Sequence, residues 1–147
     1  MHNSFNMEIH INDSRTILDV QREFNKEFPY LKIEFFGLPY PNSNVTSLKS
    51  HIYTGDRKLA QCRKMHHEGK LNVSGSLSVA NLERELWEKF GLSALVFRKS
   101  GKLWIETSLT ESWSLDKQNA EGLDWSRHVT NQPGINDIDL LNRDNWQ

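Results

Sequence analysis

The chain has 147 residues, of which 37% are hydrophobic and 25% are charged, and its formal net charge at pH 7 is -1. This length suits one domain, and an aromatic content of 10% with five tryptophans excludes a wholly disordered chain. The balanced charge argues against a general nucleic-acid binder, which usually has a basic excess, and the sequence has no apolar run long enough to cross a membrane.

The N-terminal residues 1–6 contain no basic stretch followed by an apolar one, so we expect a flexible leader and no secretory signal. The single cysteine, Cys62, excludes an intramolecular disulfide. Together these observations predict a cytoplasmic protein without a membrane anchor. A single domain is expected over residues 7–126, followed by a polar tail at 127–147 that is ordered at most in part.

Two stretches of the chain match each other without a gap at an offset of 62 residues (76 − 14). Identical residues meet at Ser14 and Ser76, Arg22 and Arg84, Glu23 and Glu85, Phe28 and Phe90, and Phe35 and Phe97. Two amphipathic units of one type can match by chance, but a gapless match through a whole unit favours an internal repeat. Its halves cover residues 7–36 and 69–98.

Each half is predicted to form a strand, a helix and a second strand. The first strands alternate apolar and polar residues, as in Ile9-His10-Ile11 and Leu71-Asn72-Val73. The helices carry apolar residues at steps of three and four, namely Ile17, Val20, Phe24 and Phe28, then Val79, Leu82, Leu86 and Phe90. Thr16 with Asp19 and Ser78 with Asn81 are the expected cap pairs. Pro29 and Gly91 mark the helix ends.

Between the halves, residues 37–69 begin as a Pro-containing loop and then show Leu59, Cys62 and Met65 at the spacing of a short helix. Cys62 and His66, four residues apart on such a helix, would share a face, as metal ligands must. A structural zinc site needs four ligands, and His51 and His10 could complete the set only through the fold. Cys62 and His66 are therefore weak metal candidates, and the alternative is a solvated turn beside a small buried thiol.

A Cys62–His66 nucleophile pair is the one enzymatic arrangement that the residues allow. It requires a thiol of lowered pKa and an oxyanion hole, and no pattern in the sequence predicts either. Phosphate-binding and dinucleotide-binding glycine motifs are absent from the sequence. Glu83, Glu85 and Glu88 are expected on the wet face of the second helix. We therefore expect no catalytic residues and no cofactor.

A hairpin is predicted in "ALVFRKSGKLWIETS", with the turn at Arg98–Lys102 and Gly101 supplying a positive φ. Arg98, Lys99 and Lys102 lie close to Trp104 in sequence, and a second basic cluster with Arg63 and Lys64 spans residues 57–70. Basic groups beside an aromatic residue on a sheet can hold single-stranded nucleic acid or phosphate. The alternative is that these lysines serve solubility and block edge pairing.

A short helix is expected in "SLDKQNAEG", with Ser114 as its N-cap and Gly122 past its end. The residues Val96–Gly101, Trp104–Thr107, Trp113–Leu115 and Gln118-Asn119 resemble an uncharacterised family of small bacterial proteins that shares a Val-Phe-Arg-Lys-Ser-Gly run, a Trp-containing strand and a Gln-Asn pair. Glu111-Ser112 departs from that pattern. The resemblance implies a real domain and carries no known activity.

The aromatic content exceeds what a small core needs, because Trp87 lies off the apolar stripe and Trp113 and Trp125 lie in short segments. Such residues mark a partner surface or cover the ends of the sheet. The fold expected is α+β: a two-layer sandwich of two βαβ-like repeats plus a C-terminal hairpin strand, with a mixed, ferredoxin-like sheet of about five strands and helices on one face.

The function expected is a non-enzymatic binding module that acts through protein–protein contacts, with a homodimer as one form of such contact. The alternative is a nucleic-acid-binding domain that uses the basic residues of 57–70 and 98–102. The residues to test in either case are Arg98, Lys99, Lys102, Trp104, Arg63 and Lys64.

Overall fold

The computed structural model describes residues 6–38 and 51–130 of the chain. Its elements are β1 (Asn6–Ile11), α1 (Ile17–Glu27), β2 (Leu31–Phe36), β3 (Gly69–Ser74), α2 (Val79–Phe90), β4 (Ser93–Ser100), β5 (Leu103–Glu106) and α3 (Leu115–Thr130). Two single turns of 3₁₀ helix lie at Leu59–Gln61 and Ser108–Thr110. The expected α+β class is confirmed.

The strands form two antiparallel sheets, so the single mixed sheet expected from the sequence is wrong. β1 pairs with β3, from Asn6 opposite Ser74 to Ile11 opposite Gly69. The other sheet has the order β2-β4-β5. Each of the first two helices carries the chain from one sheet to the other, so the strands before and after it never become neighbours. Instead, β1 pairs with β3 and β2 pairs with β4, so each pairing joins one half of the chain to the other. Both pairings are antiparallel.

The helices begin where the caps predict. The Thr16 hydroxyl accepts a hydrogen bond from the Asp19 N–H at 3.1 Å, and the Asp19 carboxylate accepts one from the Thr16 N–H at 2.9 Å. Ser78 caps α2 through the N–H of Asn81. Gly91 ends α2 with a φ of 68°, a left-handed conformation that favours glycine.

The main core lies between the two helices and the inner faces of the sheets. It includes the apolar stripes predicted for both helices, the alternating residues of β1 and β3, and Leu31, Ile33 and Phe35 of β2. Because side chains alternate along a strand, the other face of β2 and β4 carries a different set. There Phe36, Leu95 and Phe97 form a second, smaller apolar cluster, which we call the outer face.

The N-terminus of each of the first two helices is closed by a later segment with the same backbone pattern. The N–H of Ile17 donates to the carbonyl of Arg57, and the N–H of Leu59 donates to that of Arg15, both within 2.9 Å. In the second unit, the N–H of Val79 donates to the carbonyl of Trp113 and that of Leu115 to Leu77. The starts of α1 and α2 are therefore closed by the same backbone pattern, from residues 55–60 in the first case and from residues 111–116 in the second.

Two helical predictions differ from the structure. The helix expected around Leu59 and Cys62 is only one 3₁₀ turn, whereas α3 continues through Gly122 to Thr130. At position 122 the helix passes close to Tyr30. A Cβ there would lie 2.7 Å from the Tyr30 Cβ, which explains a glycine inside the helix. α3 also crosses the expected domain boundary at residue 126.

The predicted leader begins outside the described residues, which start with β1 at Asn6. The Pro-containing loop at 39–50 and the tail at 131–147 also lie outside them. Within residues 6–38 and 51–130, no helix is both long and apolar enough to cross a lipid bilayer.

Candidate functional site

The hairpin between β4 and β5 is tighter than the sequence predicts. Ser100 pairs with Leu103, so the connection consists of Gly101 and Lys102 alone. Gly101 has a φ of 67°, as predicted, and this is what the first position of a two-residue type II′ turn requires. Arg98 and Lys99 consequently lie within β4, and only Lys102 belongs to the turn.

Lys99 and Trp104 face each other across the hairpin on the outer face. They form a cross-strand pair, and the Lys99 Nζ lies 5.6 Å from the centre of the Trp104 ring. The Lys32 Nζ reaches the same ring from β2 at 5.2 Å. We call Lys32, Lys99, Lys102 and Trp104 the Trp104 surface. It combines a partly exposed aromatic ring on β5 with lysines from β2, from β4 and from the turn before β5.

Carboxylates lie among these basic groups. Lys32 forms an ion pair with Glu34 at 3.2 Å, and Glu106 stands opposite Phe97 on the outer face. Partial burial lowers the pKa of Lys32, while Glu34 opposes that shift. The surface is therefore a mixed-charge patch around a tryptophan.

Arg98 points to the other face of the sheet and does not join the Trp104 surface. Its Nη1 donates to the Gln118 side chain at 2.8 Å, and its guanidinium lies 5.5 Å from the centre of the Trp113 ring. Burial lowers the pKa of Arg98. The alternation of side chains along β4 thus separates Arg98 from its neighbour Lys99, and Arg98 helps to attach α3.

Arg63 is likewise committed to internal contacts. Its guanidinium donates to the Asp13 carboxylate at 2.8 Å and to the backbone carbonyls of His67 and Phe90 at 2.7 and 3.1 Å. Only 7% of the residue is exposed. Lys64, next in sequence, is exposed. The basic cluster of residues 57–70 therefore does not form one continuous surface, and Arg57 packs over Tyr53.

Cys62 and His66 do not come together as ligands. The Cys62 thiol donates to the Lys58 carbonyl at 3.4 Å, and the His66 Nδ1 lies 2.8 Å from the Asp13 carboxylate. The helix expected to align them ends at Gln61. Burial raises the pKa of the thiol, which disfavours a nucleophilic thiolate. In the described parts of the chain, no group of three or more His, Cys, Asp or Glu side chains could hold a metal ion.

Glu83 is buried instead of lying on the wet face of α2 with its neighbours. Only 2% of it is exposed, and its carboxyl accepts a hydrogen bond from the Val96 N–H at 3.0 Å. Burial raises the pKa of Glu83 to about 8, with smaller upward contributions from Glu111 and Glu106. The sequence does contain a signal for this burial, since position 83 is four residues after Val79 and three before Leu86, on the apolar stripe.

Two clefts open on the described surface. The first, which we call the Trp87 cleft, has a volume of about 600 Å³ and is lined by Phe36, Tyr53, Cys62, Met65, Trp87 and Ser93 among others. The second, of about 690 Å³, runs beside Trp104 and Lys32 to the edge of β2, α1 and residues 52–56. Among the lining residues, the sequence alone indicates four as surface candidates: Trp87, Trp104, Arg63 and Lys64. Ser93 and Tyr53 belong to no pattern that would reveal them.

Three comparisons with known proteins gave no similarity to draw on. No family model matches the chain, no curated protein matches it, and no solved structure resembles it at a significant level. Any function must therefore be inferred from the geometry of the described residues.

Proposed function

We propose that this chain is a non-enzymatic binding module that acts through protein–protein contact at the Trp104 surface, including contact with a second copy of itself. The observation that carries the proposal is the position of Trp104. The Trp104 ring, on β5, is partly exposed and lies near both Lys32 of β2 and Lys99 of β4. Within the described residues, β5 pairs with one strand only. Tryptophan is enriched in protein interfaces and among the residues that contribute most to binding, and charged residues are usual at the rim around it.

The equivalent position in the first unit supports a role for Lys99 beyond folding. At the offset of 62 residues, Lys99 of β4 corresponds to Gly37, which directly follows β2 and whose N–H donates a hydrogen bond to the His51 carbonyl at 2.8 Å. The strand geometry therefore does not require a lysine. We further propose that the two units are an internal repeat, for which the gapless sequence match and the equivalent helix closures are the support.

The second cleft adds room for a partner beside Trp104. It extends past Lys32 and Glu34 to the edge of β2, where Gln21 and Asn25 of α1 bond the carbonyls of Ile33 and Leu31. Because the Phe35 carbonyl is bonded as well, by the Tyr53 N–H, a partner would place side chains in this groove and would not extend the sheet. The lysine and glutamate side chains beside it would select a partner that also carries both charges.

A nucleic-acid-binding domain is the second candidate, and the pairing of Lys99 with Trp104 on a sheet favours it. Against it stand Glu34 and Glu106 on the same face and the commitment of Arg63 and Arg98 to internal bonds. Backbone phosphates prefer a groove of uniform positive charge. We therefore favour a protein partner.

The test compares the unmodified chain with the double variant Lys99→Ala/Trp104→Ala in affinity capture and in sedimentation. We expect captured proteins, or self-association, to be lost in the double variant and kept in Lys89→Ala, which removes an exposed lysine on α2. A partner retained equally by all three proteins would contradict the proposal. Binding to an oligonucleotide that weakens steeply with salt and depends on Lys99 would establish the alternative.

A further inference from the structure

The Trp87 cleft exists because the chain takes different paths at equivalent positions of the two units. In the second unit the chain continues after Leu115 as the long helix α3, which lies against Tyr30 and Arg98 at Gly122. In the first unit the corresponding helix ends at Gln61. The space beside Phe36, which corresponds to Arg98 at the repeat offset, is left as the cleft of about 600 Å³.

Three aromatic side chains contribute to the walls of the cleft. Phe36 lies at the end of β2, and Trp87 lies in the last turns of α2. Tyr53 follows Ile52, which forms an isolated β-bridge with Phe36. The backbone at Gly37 approaches the Tyr53 hydroxyl so closely that a Cβ there would lie 3.0 Å from it. Both the volume and the mostly apolar lining are typical of small-molecule sites.

Ser93 supplies an unsatisfied polar group at the wall of the cleft. The residue is 4% exposed and lines the cleft, and its hydroxyl oxygen, which is covered in this rotamer, has no hydrogen-bond partner among the described residues. Buried polar groups without partners are uncommon, because each loses the hydrogen bonds it made to water. In the first unit the position equivalent to Trp87 holds Asn25, whose amide bonds the Leu31 carbonyl at 2.8 Å and is satisfied within the protein.

The charges around the cleft favour an uncharged ligand. Lys64 and Glu88 are exposed lining residues of opposite sign. The guanidinium of Arg63, which also lines the cleft, already has its hydrogen bonds to Asp13, His67 and Phe90. Burial keeps Cys62 in its neutral thiol form by raising its pKa. Because Lys64 and Glu88 carry opposite signs, the lining gives no net preference for an anion or a cation.

We propose that the Trp87 cleft binds a planar, uncharged aromatic molecule that packs against Trp87 and forms a hydrogen bond with the hydroxyl of Ser93 when that side chain rotates toward the cleft. This site is separate from the Trp104 surface, since the two share no residue. A small molecule bound here contacts both units, through Phe36 and Tyr53 of the first and Trp87 and Ser93 of the second.

Indole and indene test the proposal, because the two have nearly the same shape and only indole has an N–H group. In a two-dimensional amide NMR titration of the full chain, we expect indole to produce saturable shifts at residues 36–38, 61–65 and 87–93. Indene should shift the same signals with an affinity lower by roughly two- to tenfold, the usual value of one hydrogen bond. Ser93→Ala should weaken indole binding by that factor and leave indene binding unchanged.

Two tryptophan variants locate the site. Trp87→Ala should remove most of the affinity for both probes, and Trp125→Ala, which changes an exposed residue of α3, should keep it. If Trp87→Ala loses its dispersed amide spectrum, the Ser93→Ala comparison decides alone. The proposal is overturned if indole causes no saturable shifts in the cleft, if Ser93→Ala binds indole as tightly as the unmodified chain, or if Trp125→Ala weakens binding as much as Trp87→Ala does.

Discussion

Glu83 of α2 bonds β4 at a point where β4 has no neighbouring strand on one side. β5 ends at Glu106, so Val96 of β4 has no neighbour on that side. The Val96 N–H donates to the Glu83 carboxyl at 3.0 Å, and its carbonyl accepts a hydrogen bond from the Thr107 hydroxyl at 2.8 Å. Two side chains thus satisfy the backbone groups that a longer β5 would have bonded.

The buried carboxyl makes the stability of the fold depend on pH. Its pKa is raised from 4.5 to about 8 by burial, so the folded chain holds a proton that the unfolded chain releases between these values. The free energy of unfolding should therefore fall as pH rises through this window, by at most about 1.4 kcal/mol per pH unit from this group. Below pH 4.5 the Glu83 carboxyl is protonated in both the folded and the unfolded chain, so it contributes no pH dependence to the free energy of unfolding there.

Glu83→Gln should remove this slope, because the amide does not ionise. Urea unfolding followed by circular dichroism at several pH values between 5 and 8 measures it. Glu88→Gln, on the exposed side of the same helix, is the matched control and should keep the slope of the unmodified protein. Equal slopes in the two variants would show that Glu83 is ionised in the folded state at neutral pH.

At the scale of elements, α3 shows how a tertiary contact overrides a local signal. Glycine often follows the end of a helix, yet Gly122 lies in the middle of α3, eight residues before its end at Thr130. The helix is held to the rest of the protein by side chains in the turn before this point. Asn119 accepts a hydrogen bond from the Tyr30 N–H at 2.8 Å, and Gln118 bonds both Arg98 and Thr110.

Gly122→Ala should destabilise the protein even though alanine is the better helix former. In an exposed helix the change would gain about 1 kcal/mol. Here the added Cβ would lie 2.7 Å from the Tyr30 Cβ and 3.0 Å from the Tyr30 carbonyl oxygen, so we expect a net loss of about 1–3 kcal/mol from overpacking.

Thermal unfolding of Gly122→Ala and of Ala120→Gly, an exposed position of the same helix, measures the two effects separately. The Ala120→Gly variant should lose about 1 kcal/mol through helix propensity alone. A Gly122→Ala protein that unfolds at a higher temperature than the unmodified chain would contradict the close approach of α3 to Tyr30.

At the scale of the whole molecule, Arg63 links segments that are distant in sequence. One guanidinium bonds Asp13 after β1, His67 before β3, and Phe90 at the end of α2. The hydrogen bond from Arg63 is the main reason why the pKa of Asp13 is lowered. The connection therefore joins the first unit to the second through a side chain that is fully buried.

Arg63→Ala should lower the free energy of unfolding by about 1–3 kcal/mol, since it leaves the buried Phe90 carbonyl and the partly buried His67 carbonyl without their donor. Lys64→Ala, one residue away and exposed, should change stability by less than about 0.5 kcal/mol. Urea unfolding of both variants at neutral pH makes the comparison. Similar midpoints for the two would mean that the Arg63 contacts contribute little to stability.

Much of the local structure could be predicted from the sequence. The helices at 17–27 and 79–90, their caps at Thr16 and Ser78, and the positive φ of Gly101 all depend on residues within a turn or two of each other. Such features arise from short-range sterics and hydrogen bonds, which the sequence specifies directly. The proximity of Lys99 to Trp104 was also predictable, because a tight hairpin brings its two strands together.

The strand order, the candidate clefts and the roles of the charged residues depend on the tertiary structure. Arg98 and Lys99 are adjacent in sequence but lie on opposite faces of β4, and α3 determines which face is covered. Arg63 and Glu83 are buried because distant backbone groups need their hydrogen bonds. The Trp87 cleft depends on where the chain after Gln61 passes in relation to β2 and α2. These outcomes rest on contacts between residues far apart in the chain, whose geometry no local pattern specifies.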